Sequence, residues 1–147
     1  MTRRQTVPRQ WLIVTSPDLA PVGRLAHGSG VLVVGPMQSG DARRLRRIAE
    51  RRKLTIVWEA RRSASRVHNA SELRTALTHR TPLILLSPIY PTRSHPDWKP
   101  LPRMRAAALA RLANRRAIAL GGMNPKRYAI VAPLGFRGWA GISAFRT

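Results

Sequence analysis

Short apolar runs alternate with longer segments whose apolar residues recur at helical spacing. Trp11-Leu12-Ile13-Val14-Thr15, Val31-Leu32-Val33-Val34 and Leu54-Thr55-Ile56-Val57-Trp58 are nearly continuous and rich in β-branched side chains. That is the pattern of parallel strands buried on both faces. Pro82–Leu86, Ala117–Leu120 and Trp139–Ser143 repeat it, and Arg66-Val67-His68 reads as a further short strand. Between them, Ser39 is expected to cap a helix running to Lys53, with Leu45, Ile48 and Ala49 on its apolar stripe. Ser71 is expected to cap a second helix carrying Leu73, Ala76 and Leu77. Met104–Asn114 is an alanine-rich third. Pro125 suits the first turn of a fourth. Ser87 to Pro102 reads as one long, proline-rich loop.

Strands and helices in alternation predict an α/β fold with about seven parallel strands, either wound into a TIM-barrel-like sheet or left open. A short last strand, placed after the Gly121-Gly122 turn, favours the barrel. Only Glu59 to Ser65 separates the third strand from the next, too little for a crossover of about a dozen residues or more. The barrel is therefore expected to be truncated, and its open edge would invite a second copy of the chain as partner. No shift in composition marks a linker. A basic N-terminal arm, 1–10, leads into a single domain, 11–147.

Composition narrows the class. The chain has 147 residues, 44% of them hydrophobic, which is enough for a core and too many for a disordered basic tail. It has no cysteine, so thiolate metal sites and cysteine nucleophiles are excluded. No apolar run approaches the roughly 18 residues of a membrane span, and a cytoplasmic location is expected. Lys and Arg number 27 against 6 Asp and Glu, a net charge of +21. Such a field favours nonspecific nucleic-acid binding. Yet the cations are spread from Arg3 to Arg146, zinc spacings are missing, and aromatic residues make up only 5%. The pattern is that of a solvated arginine-rich surface more than of a nucleic-acid module.

Three segments that follow strands could bind an anion. Ser87-Pro88-Ile89-Tyr90-Pro91-Thr92-Arg93-Ser94-His95-Pro96 offers hydroxyls, a guanidinium and an imidazole in close succession. Gly121-Gly122 lets backbone N–H groups approach a ligand, with Asn124-Pro125 opening a helix beyond it. Ile142-Ser143 adds a further N–H and hydroxyl. In an α/β fold all three would lie at one end of the sheet.

Those same three segments resemble thiamine phosphate synthase and its relative TenI. The family reads Gly-Pro-Val-Phe-Pro-Thr-x-Thr-Lys, then Ala-Ile-Gly-Gly-Ile, then Val-Ala-Val-Ile-Ser. Their counterparts here are Ser87 to Pro96, Ala119 to Met123 and Gly138 to Ala144. The resemblance implies a (β/α) barrel that joins a pyrimidine pyrophosphate to a thiazole phosphate with Mg²⁺, releasing pyrophosphate. It implies that Thr92, Arg93 and Ser94 hold the thiazole phosphate with Gly122, Ile142 and Ser143, and that His95 stands where the family has a pyrophosphate-contacting lysine.

This chain departs from the family elsewhere. The Gln-x-Arg-x-Lys that grips pyrophosphate after the second strand is here Val33-Val34-Gly35-Pro36-Met37, without a cation. The Asn-Asp after the third strand is Trp58-Glu59, which leaves Glu59 as the expected ligand of a weak, substrate-assisted Mg²⁺. Arg66 falls near the family's pyrophosphate-binding serine and would replace a lost cation. The expected function is thiamine phosphate synthase-like coupling. The alternatives are a TenI-like thiazole tautomerase using His68 or His95 as proton shuttle, a noncatalytic thiazole-phosphate binder, and a basic RNA-associated protein.

Overall fold

The apolar runs pair into one sheet in a computed structural model that describes residues 7–60, 62–93 and 95–145. The strands are β1 (Gln10–Val14), β2 (Gly30–Val33), β3 (Thr55–Trp58), β4 (Ala64–Val67), β5 (Leu83–Leu86), β6 (Ala117–Leu120) and β7 (Gly138–Gly141). The helices are α1 (Ser39–Arg52), α2 (Ala70–Thr78), α3 (Arg103–Leu112) and α4 (Pro125–Val131). Strand order is β3-β2-β1-β7-β6-β5-β4, with every neighbouring pair parallel. The chain thus builds β1–β3 outward to one edge, restarts at the far edge with β4, and returns to lay β7 beside β1.

Side-chain alternation shows that the sheet curls. Trp11 and Ile13, Leu32, Ala64, Leu83 and Leu85, Ile118 and Ala140 form one buried cluster with Val57 packed against it. Every strand contributes to that cluster from one face, including both edge strands. The opposite face of β1–β3 packs on α1 through Leu45, while that of β4–β7 packs on α2–α4 through residues such as Leu73, Leu109 and Val131. The architecture is a seven-stranded, incomplete TIM-like barrel with helices outside, as the alternation of elements predicts.

Residues 59–63 make the closure. Among the described residues no helix lies between β3 and β4, and the Ser63 hydroxyl donates to the Trp58 carbonyl at 2.8 Å. Ala60 and Ala64 form a single antiparallel bridge. No parallel ladder joins β3 to β4 among the described residues, so the barrel has a seam there.

Several boundaries differ from the sequence reading. Ser71 lies inside α2 rather than capping it. The cap is Asn69, whose side chain accepts the Glu72 amide at 2.8 Å while Glu72 accepts from Asn69 Nδ2 at 3.1 Å. Two reciprocal bonds, one of them to an amide left free by the helix start, outweigh what a serine two residues further on can offer. Ser39 is the first residue of α1, behind an extended Gln38 that makes no side-chain cap bond. β4 begins two residues before the expected strand and stops at Val67. β7 ends at Gly141, and Ser143–Phe145 form a 3-10 turn. Gln10 already pairs in β1, and the Arg9 carbonyl accepts the Trp139 amide at 2.8 Å, so the expected N-terminal arm joins the barrel before its end. No helix among the described residues is long and apolar enough to cross a membrane.

Candidate functional site

Continuing the inward-facing parity beyond each strand's carboxyl end gives the composition of the barrel mouth. Thr15 is in step with Trp11 and Ile13; Arg66 and His68 are in step with Ala64. Ser87 follows Leu83 and Leu85, and Ile142 follows Ala140. All five line a cavity of about 810 Å³, together with Thr92, Arg93, His95, Trp98, Gly122, Arg127 and Ser143. The described lining includes three guanidinium groups and no carboxylate. A low-dielectric cleft of that charge attracts anions.

The expected site residues are placed as follows. Thr92, Arg93, Gly122, Ile142, Ser143, Arg66, His68 and His95 come together on this one cavity from four strand ends. Ser94 lies outside the described residues. Glu59 is not among the described lining residues: its Oε1 accepts from Arg66 Nη2 at 3.1 Å, and its Oε2 is buried without a hydrogen-bond partner among the described residues.

Two glycines let the loops meet. Gly121 and Gly122 have φ of +104° and +59°. A Cβ on Gly121 would stand 2.9 Å from the Pro88 Cα, and one on Gly122 would run into the Pro91 carbonyl oxygen. The Gly121 carbonyl in turn accepts the Tyr90 amide at 3.0 Å. Arg127 fastens the same junction. Its Nη1 donates to the Gly122 carbonyl at 2.6 Å, and its guanidinium lies 4.6 Å from the centre of the Tyr90 ring. Asn124 caps α4 by accepting the Arg127 amide at 2.8 Å, which sets the direction from which Arg127 turns back. Beyond this junction, burial raises the Tyr128 phenol above its ordinary pKa, opposed by the nearby Arg9 charge.

At the other wall, His68 Nδ1 is 3.1 Å from Glu72 Oε2. Trp98 meets the His68 ring edge-on at 5.3 Å and stacks on His95 at 3.9 Å with 10° between planes. Sequence reasoning missed Trp98, Arg127 and Thr15. Thr15 could have been found by counting in twos from Trp11, and Arg127 by its place in the first turn behind the Asn124 cap. Trp98 carries no local signal.

The described side chains form no cage of protein ligands for magnesium. Mg²⁺ demands near-octahedral oxygen ligation. No group of three or more His, Asp or Glu side chains that could hold a metal exists among the described residues. Glu59 is the one carboxylate at a strand's carboxyl end, and a guanidinium already neutralises it.

Comparison with known proteins agrees with this architecture. A family model described as "Thiamine monophosphate synthase" matches residues 63–145, more than half of the chain. The fold is similar to that of a thiamine phosphate pyrophosphorylase from Pyrococcus furiosus, with a TM-score of 0.76 and 12% identity over 97% of this chain and 89% of that one. A thiamine phosphate pyrophosphorylase from Bacteroides thetaiotaomicron is similar at a TM-score of 0.58 and 14% identity, covering 93% of this chain and 83% of that one. At these identities the two structures establish the fold alone. No protein of curated function matches the chain.

Proposed function

Because the chain belongs to the thiamine monophosphate synthase family, we propose that its barrel mouth binds a thiazole phosphate and couples it to a hydroxymethylpyrimidine pyrophosphate. Thr92, Arg93 and Ser143 are the side chains that hold the thiazole phosphate, with backbone N–H groups at Gly122 and Ser143. Leu120 and Ile142 give the thiazole ring an apolar floor. In the coupling step the pyrimidine carbon–oxygen bond breaks and pyrophosphate leaves with the electron pair. The thiazole nitrogen then donates its lone pair to the carbon. Little proton transfer is involved, so the protein's contribution is to position the two rings and screen the separating charges.

One observation carries the reading: Thr92 and Arg93, Gly122, and Ser143, which stand on three separate loops, line one cavity with three guanidiniums and no described carboxylate. The test is calorimetric titration with thiazole phosphate and with the unphosphorylated thiazole alcohol, followed by a coupling assay with both substrates. Thiazole phosphate should bind, and the alcohol should bind at least tenfold more weakly. The paired Thr92→Ala, Ser143→Ala variant should lose about tenfold or more, the usual consequence of removing bonds to a charged group. Equal affinity for ester and alcohol would overturn the assignment.

A specific observation favours a second reading. The bond between His68 Nδ1 and Glu72 leaves Nε2 as the group able to accept or return a proton, as in a thiazole tautomerase. That reading takes over if coupling is absent while His68→Gln abolishes proton exchange on the bound thiazole in deuterated water.

A further inference from the structure

We infer that a groove on the outer wall of the barrel binds a carboxylate carried on a short hydrocarbon chain. The groove has a volume of about 220 Å³ and lies where the loop after β5, the start of α3 and the end of α4 meet. Its described lining shares no residue with that of the mouth, so the inference stands apart from the coupling reaction.

The chain makes this groove by returning to a place it has just left. The Pro88 carbonyl accepts the Leu101 amide at 2.8 Å, which brings the far end of the long loop back beside Ile89 and Tyr90. Val131, the last residue of α4, and Leu134, in the 3-10 turn after it, complete the walls. Ile89 and Val131 are buried, while Leu101 and Leu134 are only half covered. Burying methylenes against such walls is favourable.

Two polar groups set the rest of the chemistry. Arg103, the first residue of α3, is exposed and makes no ion pair or hydrogen bond among the described residues. No carboxylate is among the described lining residues. Tyr90 brings the second group, a hydroxyl closed off from water with no hydrogen-bond partner among the described residues. Buried hydroxyls are nearly always paired, and an unpaired one is costly. A carboxylate has an oxygen for each group. One oxygen takes the guanidinium, and the other reaches the Tyr90 hydroxyl as the half-exposed Leu101 side chain gives way. An inorganic anion would leave the apolar walls wet, and an alcohol would leave the guanidinium without its counter-charge. The groove is smaller than the roughly 300 Å³ at which drug-sized pockets begin, so the chain it takes is short.

The test is calorimetric titration of the full chain with butyrate, hexanoate and octanoate, and with octan-1-ol. Affinity should rise about two- to fourfold per methylene until the groove is full. The alcohol should bind at least about tenfold more weakly than octanoate. Arg103→Gln should weaken octanoate about tenfold or more. Arg105→Gln, two residues along α3 and outside the described lining, should leave octanoate binding unchanged. Tyr90→Phe keeps the ring against Arg127 and removes only the hydroxyl. It should weaken octanoate without lowering the melting temperature of the free protein, because the hydroxyl has a partner only in the complex. Melting temperatures of the arginine variants report their folding separately. Equal losses in the two arginine variants would overturn the inference by assigning binding to the general positive field. Equal affinity for octanoate and octan-1-ol, or no binding by any acid of the series, would overturn it too.

Discussion

Gly122 is the residue on which most of the site depends. Its φ of +59° is strained for any L side chain, and the Pro91 carbonyl occupies the place of a Cβ. Gly122→Ala should therefore cost about 2 kcal/mol or more of stability by urea denaturation. It should also weaken thiazole-phosphate binding, since the loop bearing Thr92 must retreat to make room. Gly40 is the contrast. It lies on α1 with open space around its Cβ position, and alanine is the better helix former by about 1 kcal/mol. Gly40→Ala should raise stability by up to that amount. One glycine is required by geometry and the other only tolerated.

Among the elements, α2 shows how a cap is selected. Asn69→Ala should cost about 1 kcal/mol, with Ser71→Ala staying within about 0.5 kcal/mol, both measured by the shift of the denaturation midpoint. The sequence pattern made the long elements legible for a simple reason. Runs such as Leu83 to Leu86 are buried on both faces, and burial of that kind leaves only apolar residues to read. β4 was harder because Ser65 and Arg66 interrupt it, and Arg66 lines the cavity rather than the core. The three loops of the candidate site were legible through their resemblance to a family. Trp98 was not, since the edge-on contact with His68 forms only when the loop after β5 folds back over the end of β4, and Arg127 showed only its place behind the Asn124 cap and not its stacking on Tyr90.

At the scale of the molecule, charge is unevenly compensated. Lys and Arg outnumber Asp and Glu by 27 to 6, and a preference for arginine over lysine leaves that sum untouched. The ion pairs among the described residues are Arg44–Asp41, Arg66–Glu59 and His68–Glu72, the last charged only when the imidazole is protonated. Long-range repulsion between cations therefore outweighs what these pairs contribute. Raising ionic strength from about 0.05 to 0.3 M shortens the Debye length from about 14 to 6 Å and should raise the melting temperature. A melting temperature that fell with salt would mean that the few ion pairs dominate.

The seam between β3 and β4 also divides the chain into two consecutive pieces. The first holds β1–β3 and α1, with an outer core of its own; the second holds β4–β7 and α2–α4, with another. What joins them, besides the turn, is the shared inner cluster and the β1–β7 ladder, Gln10 to Trp139, Trp11 to Ala140 and Leu12 to Gly141. The matched family segment, 63–145, coincides with the second piece. A cut between Arg61 and Arg62 would therefore sever a tether and leave every ladder intact. Fragments 1–61 and 62–147, produced separately and mixed, should reassemble one to one and recover the native circular dichroism spectrum, the barrel behaving as a heterodimer whose two halves happen to be covalently linked.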